Sequence, residues 1–293
     1  MMNRDSFSTF HPAVNFVFFI GALTLGMVIQ HPAYLIAGFI GALSYYIILR
    51  GTQALKMLLA ILPLCIILAL VNPLFNREGS RILFHVFGNP YTLEALLYGA
   101  AIAWIFLVMM LWFGCYSVVM TGDKFTSLLG NLIPSLSLLL VMIFRMVPGF
   151  IRKAQQISGA RKSIGKGVVE QGSYKEKAAS AMTVLASLTT WALEGSIVTA
   201  DSMRSRGYGT AKRTSFTLYR MTIRDWVVLA TILVLALIVL IFAIHGSTAA
   251  TYTPQFTAAP LTLGFAAYCA YLLIPTILHI KEALQWHISR SKI

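Results

Sequence analysis

Six apolar runs recur along this chain, at 14–30, 32–49, 55–75, 92–120, 226–245 and 261–280. Each is long enough to cross a bilayer, which takes about 17–25 residues. In hydrocarbon every backbone amide must be satisfied within its own segment, so such runs fold as helices or not at all. Charge is scarce enough to agree. Only 11% of the 293 residues are charged, against about 25% in a soluble domain, and the mean hydropathy is +0.76. The expectation is an all-α membrane protein with about six transmembrane helices. The first run, 14–30, has no small-residue cleavage site and a second span follows at once, so it reads as an uncleaved span rather than a signal peptide.

The formal net charge of +13 is unevenly distributed: 14 of the 23 Lys and Arg fall between Arg145 and Arg224. A basic balance can indicate nucleic acid, but basic residues flanking membrane segments are the mark of cytoplasmic loops. This reading excludes a nucleic-acid partner and puts both termini, the 50–56 turn and Lys124 inside. The 76–91 and 247–260 loops then lie outside, and the chain sits as a multi-pass protein in the cell membrane. Cys65, Cys115 and Cys269 lie far apart in apolar runs and suggest neither a disulfide framework nor a metal site. There is no phosphate loop, no nucleophile elbow and no His-Glu-x-x-His. Glu94 is the only acid within the six runs, and it stands at a run's end. Carriers and channels place ionisable groups inside the membrane, so the spans read as scaffold. No cofactor is expected.

Residues 125–224 separate the four spans of 1–124 from the two spans of 225–293. The stretches 128–146 and 178–200 are apolar, yet Arg145 and Glu194 lie in them. An ionisable group deep in lipid is costly, so helices lying in the membrane plane or dipping into it fit better than ordinary spans; a pair of spans would leave the topology parity unchanged. Pro134 and Pro148-Gly149 are expected to divide the region. Two basic stretches share one plan. In Ala160-Arg161-Lys162-Ser163 an arginine stands near a helix end, with Gly165 and Gly167 following. In Ser205-Arg206-Gly207 another does, with Gly209 following. Glycine commonly ends helices because it adopts positive φ without a Cβ clash. Each arginine is therefore expected in a last helical turn, its guanidinium offering a rigid fork suited to carboxylates. Basic residues at helix ends also simply offset the helix dipole, and both readings stay open on these residues alone.

The chain resembles the transmembrane T component of energy-coupling factor (ECF) transporters, the CbiQ/EcfT family. The residues carrying the resemblance are Asn72-Pro73-Leu74-Phe75 with Asn76, Thr92-Leu93-Glu94 with Tyr98-Gly99, and Asp123-Lys124-Phe125. Pro134 through Arg145 with Pro148 follow, then Trp191-Ala192-Leu193-Glu194, and last Thr199-Ala200-Asp201-Ser202-Met203 leading into Arg206-Gly207-Tyr208-Gly209. The resemblance implies long cytoplasmic coupling helices inserted between spans four and five. Their tips, Ala160-Arg161-Lys162 and Ser205-Arg206-Gly207, would each dock on one of two ATP-binding-cassette ATPase subunits. Lys162 stands where that family usually has Ser or Gly, and Ser205 where it has Ala. Glu194, Asp201, Met203 and Arg204 would support the coupling helices. The remaining partners implied are membrane lipid and a membrane-embedded substrate-binding S component that carries a vitamin or transition-metal ion. The chain would couple ATP-driven motion without catalysing anything. Two other classes stay in view: a membrane-bound enzyme, or a membrane anchor, with a basic cytoplasmic surface.

Overall fold

The structure, a computed structural model, describes residues 5–76, 79, 81–86, 89–132, 134–165, 173–208, 210, 219–252 and 256–290. Among them are nine helices: α1 Pro12–Val28, α2 Pro32–Arg50, α3 Gln53–Phe75, α4 Leu93–Val119, α5 Gly122–Leu132, α6 Pro134–Ser163, α7 Tyr174–Ser205, α8 Ile223–Ile244 and α9 Leu263–Arg290. The chain divides into two compact units, one of residues 1–124 and 219–293, the other of 125–218. Gly167 and Gly209 lie outside the described residues, as does most of the segment joining α6 to α7.

The first unit holds α1, α2, α3, α4, α8 and α9. Its helix starts are written in the sequence. His11 and His31 are N-caps whose Nδ1 atoms accept the backbone N–H of Ala13 and Ala33 at 3.2 Å, each followed by proline at the first helical position. Thr222 Oγ1 accepts the Asp225 N–H while the Asp225 carboxylate accepts the Thr222 N–H, a reciprocal cap opening α8. The centre is aromatic. Phe18 stacks on Tyr271 at 5.2 Å and meets Trp112 edge-on at 5.6 Å, and Phe7, Phe19 and Tyr45 complete the cluster. All six side chains are fully buried. Such pairs add about 0.5–1.5 kcal/mol each beyond the apolar area they remove from solvent. Gly99 lets α3 and α4 touch: a Cβ there would stand 2.6 Å from the Ala69 carbonyl and 2.8 Å from Asn72 Cβ.

Several expectations need correction. Residues 5–10 carry no sequence sign of burial, yet they belong to the fold. Asp5 to Phe10 makes a 3-10 turn at Phe7–Thr9 and lodges in the bundle, with Asp5, Ser6, Phe7 and Phe10 buried. The 76–91 stretch contains an antiparallel hairpin, β1 Ile82–Val86 with β2 Asn89–Thr92, and a second small one, β3 Ala250–Thr251 with β4 Thr257–Ala258, interrupts the later loop. Glu94 is not the only acid in the spanning helices, because α8 reaches back to Asp225 and α9 runs on through Glu282. Pro148 does not divide α6, which continues through it. A proline forfeits one backbone bond, here to residue 144, and Phe144 is itself exposed.

Among the described residues, six helices are long and apolar enough to cross a membrane: α2, α3, α4, α7, α8 and α9 up to Trp286. The count agrees with expectation but its membership does not. Helix α1 is shorter, at 17 residues, because the His31-Pro32 start of α2 follows directly on its end. Helix α7 meets the criterion although Glu194 and Asp201 lie in it.

Candidate functional site

Both arginine motifs belong to the second unit, an antiparallel helical hairpin of α6 and α7. At about 1.5 Å per residue, the 30 residues of α6 and the 32 of α7 make rods of about 45 and 48 Å. The register is fixed at two points. Phe150 meets Trp191 edge-on at 5.5 Å, and eleven residues further along α6, eleven back along α7, an Arg161 Nη donates to Ser180 Oγ at 3.4 Å. Lys153 Nζ lies 5.7 Å from the centre of the Trp191 ring, within cation–π range. The partly covered residues of α7 are Lys177, Ser180, Val184, Leu188, Trp191, Ala192, Gly195 and Met203, and all but Ala192 and Met203 form a stripe at three- and four-residue spacing. This is a single seam. No described residue of α7 is fully buried, and Met182, Leu185, Leu193, Ile197 and Val198 are exposed.

The register sets the two tips apart. Arg161 lies beside Ser180, while Arg206 lies 26 residues further along α7, about 39 Å on. Their environments differ as well. Arg161 is in the last turn of α6, half-buried, with its Nε shielded and, among the described residues, without an acceptor. Its neighbours Ala160 and Lys162 are exposed. Arg206 is exposed and sits one residue past the last helical one, as the C-cap of α7 (φ −83°, ψ 6°). Beyond it Gly207 has φ 75°, its N–H bonds the Arg204 carbonyl at 3.0 Å, and the Tyr208 N–H bonds the Met203 carbonyl at 3.1 Å. That is a Schellman ending, which glycine suits. Gly165 beyond α6 has φ 72°, and its N–H bonds the Lys162 carbonyl at 3.1 Å. The positive φ expected of these glycines is thus present at both tips.

Around the second tip, Ser205 Oγ donates to the Asp201 carbonyl at 2.8 Å and so stays on its own helix. Asp201, Arg204 and Glu194 are exposed, and Met203 is partly covered. None of the four is brought against Arg161. Sequence reasoning missed Ser180 and the Phe150–Trp191 contact. The three- and four-residue spacing was the available signal, masked by Lys177 and Ser180 standing in an otherwise apolar stripe.

A second polar cluster, in the membrane unit, went unread. Asp5 accepts from the Tyr45 hydroxyl and from the Ser8 N–H, the latter at 3.1 Å, and stands 3.4 Å from His279 Nδ1. Lys124 Nζ donates to the carbonyls of Ser8 at 2.6 Å and Val119 at 2.9 Å. Burial lowers the Lys124 pKa from the ordinary lysine value, and the Asp5 charge partly opposes this. The cluster fixes the N-terminal segment to the corner between α4 and α5. On the opposite end of the bundle, Glu94 accepts the Arg81 N–H at 3.2–3.3 Å, which ties β1 to the start of α4. Among the described residues no three His, Cys, Asp or Glu side chains gather as a metal site.

Comparison with curated proteins finds no match. A family described as cobalt transport protein, CbiQ, matches residues 5–218, which takes in both the first four apolar helices and the whole α6–α7 unit. With well over half its length matched, this all-α multi-pass membrane protein belongs to the CbiQ cobalt transport protein family.

Proposed function

We propose that the chain is the transmembrane coupling subunit of an ECF-type importer. In this reading it catalyses nothing itself. Its α6–α7 hairpin lies along the cytoplasmic face and receives two ATP-binding-cassette ATPase subunits. The six-helix membrane unit contacts an S component that holds a vitamin or a transition-metal ion such as cobalt. Ala160-Arg161-Lys162 forms one docking tip and Ser205-Arg206-Gly207 the other. Glu194, Asp201, Met203 and Arg204 support the coupling helices.

The observation that carries this reading is the antiparallel register, which separates the two arginines by about 39 Å along α7. Two tips that far apart on one stiff hairpin suit two separate partners rather than one. Approach of the two ATPases would draw on both ends of the same rod. The exposed apolar side chains of α7 give such a rod surface for further contacts in the membrane.

The test is a set of variants read by uptake and by recovery of the ATPases with the tagged chain. Removing one side of a desolvated charge pair costs about 2–5 kcal/mol, so Arg206→Ala is expected to weaken its contact at least about tenfold. Arg161→Ala acts on a side chain already held by Ser180, so its effect is expected to be smaller than that of Arg206→Ala. The double variant is expected to lose the ATPases almost entirely, since two-point attachment is abolished, while membrane insertion stays normal. Arg206→Lys keeps the charge without the fork and is expected to rescue only in part. A double alanine variant that assembles and transports like the parent would show that these arginines merely offset helix dipoles.

A further inference from the structure

Beside the start of α8 and the end of α9 lies a groove of about 470 Å³, whose lining includes neither arginine tip. Its polar lining is Arg224, Lys281, Glu282, Gln285 and Ser289, with Leu278 and Trp286 as apolar walls. The Arg224 guanidinium is held over the Phe10 ring at 4.2 Å and stands 3.8 Å from Glu282 Oε2. Arg224 is thus the acid's ion-pair partner, at a distance too long for a hydrogen bond. Among the described residues, Lys281 has no acidic partner and its side chain is exposed. The lining carries two cations and one carboxylate, so a single negative charge neutralises it.

The groove also sits at a particular depth. Helix α8 begins at Ile223 and the apolar part of α9 ends at Trp286. Trp226 and Trp286 are exposed there, and exposed tryptophan at span ends marks the boundary between hydrocarbon and headgroups. On the same two helices Val227, three residues on from Arg224, and Ile277 and Leu284, four and three residues from Lys281, are exposed apolar side chains. A soluble anion would have no use for that flank, whereas acyl chains would cover it.

We propose that this groove binds the headgroup of an anionic phospholipid. The phosphate is taken by Lys281 and Arg224, headgroup hydroxyls are met by Gln285 and Ser289, and the chains lie along Leu278 and the neighbouring apolar flank. The proposal does not depend on the coupling function.

The experiment uses the full-length chain, purified in detergent and equilibrated with equal amounts of phosphatidylglycerol and phosphatidylcholine, with retained lipid read by native mass spectrometry. A basic residue near a membrane surface contributes about 1 kcal/mol toward anionic lipid. Preference for phosphatidylglycerol is therefore expected to fall about fivefold in Lys281→Gln and to be kept in Lys281→Arg. Gln285→Leu, a second change at an exposed position, is expected to lower retention less. Arg50→Gln removes an exposed cation at the C-terminal end of α2, outside the groove, and is expected to change nothing. Equal retention of the two lipids, or Lys281→Gln behaving like the parent, overturns the proposal. So does full displacement of phosphatidylglycerol by millimolar glycerol phosphate, which would make this a site for a free phosphate ester.

Discussion

The membrane unit and the α6–α7 hairpin are built on opposite principles. The first has a sealed centre: Trp112, Phe18, Tyr45 and Tyr271 are fully buried in it, and polar groups such as Glu94 and Lys124 find backbone partners inside the unit. The second meets along one stripe and leaves α7 with no fully buried residue. A long helix draws most of its stability from packing rather than propensity. Such a hairpin has far less packing of its own to draw on than the membrane unit has. That difference should be measurable. Trp112→Ala empties a sealed site and is expected to cost about 3–5 kcal/mol. Trp191→Ala removes one edge contact and one cation–π neighbour in an open seam, for about 1 kcal/mol. Thermal unfolding of the purified protein in detergent, followed by helicity, is expected to shift strongly for the first and little for the second. Equal shifts would mean that the hairpin is as tightly integrated as the bundle, and the contrast drawn here would fail.

The next effect in size tests whether the membrane unit's sealed centre depends on its N-terminal segment. Asp5 gathers Tyr45, the Ser8 N–H and His279, and Lys124 holds the carbonyl of Ser8. Asp5→Asn keeps the shape but removes the charge that faces His279 and Lys124. It is expected to cost about 1–3 kcal/mol, the usual penalty for leaving buried polar groups poorly matched. Tyr45→Phe deletes one donor and is expected to cost about half as much. Hydrogen exchange across α1 and the α4–α5 corner reports it. If exchange there is unchanged in Asp5→Asn, the segment is a passenger rather than a fastening.

These contrasts also explain what could be read from sequence. Spans were legible because hydropathy is local: α2, α3, α4, α8 and α9 each form near an apolar run. The N-terminal segment was illegible because its burial is not. Asp5 and Ser8 look like solvent residues until Tyr45, Lys124 and His279, from three distant elements, arrive around them. Glu94 was visible as an acid at a span end, but its partner is a backbone N–H, which no side-chain pattern announces. The fragments Asn72-Pro73 and Tyr98-Gly99 meet for a plain steric reason, the missing Cβ of Gly99 against Asn72 and Ala69. At the candidate site the glycines signalled both helix ends. The difference between the arginines was hidden, because it depends on the register that brings Ser180 to Arg161 and leaves Arg206 exposed.

The smallest expected effect bears on how the second tip is shaped. Gly207 has φ 75°, and a Cβ there would come 3.3 Å from Thr210 Oγ1. A left-handed conformation costs an ordinary residue about 1–2 kcal/mol. Among the described residues beyond the turn, Thr210 leans on it, its N–H and Oγ1 donating to the Gly207 carbonyl at 3.3 and 2.7 Å, so Gly207→Ala is expected to loosen the ending rather than the protein. The bonds from the Gly207 and Tyr208 N–H groups to Arg204 and Met203 are expected to exchange roughly five- to thirtyfold faster, with the main unfolding transition unmoved. Gly207→Asn, which tolerates the left-handed region better, is expected to lie between the alanine variant and the parent. Arg206 is the cap residue directly before this turn, so the alanine change shifts its guanidinium without touching its charge. A loss of ATPase recovery in Gly207→Ala, with Arg206 intact, would mean that docking depends on where the fork points. Unchanged recovery alongside faster exchange would mean that the positive charge at the end of α7 is enough, and that the Schellman ending serves only to stop the helix.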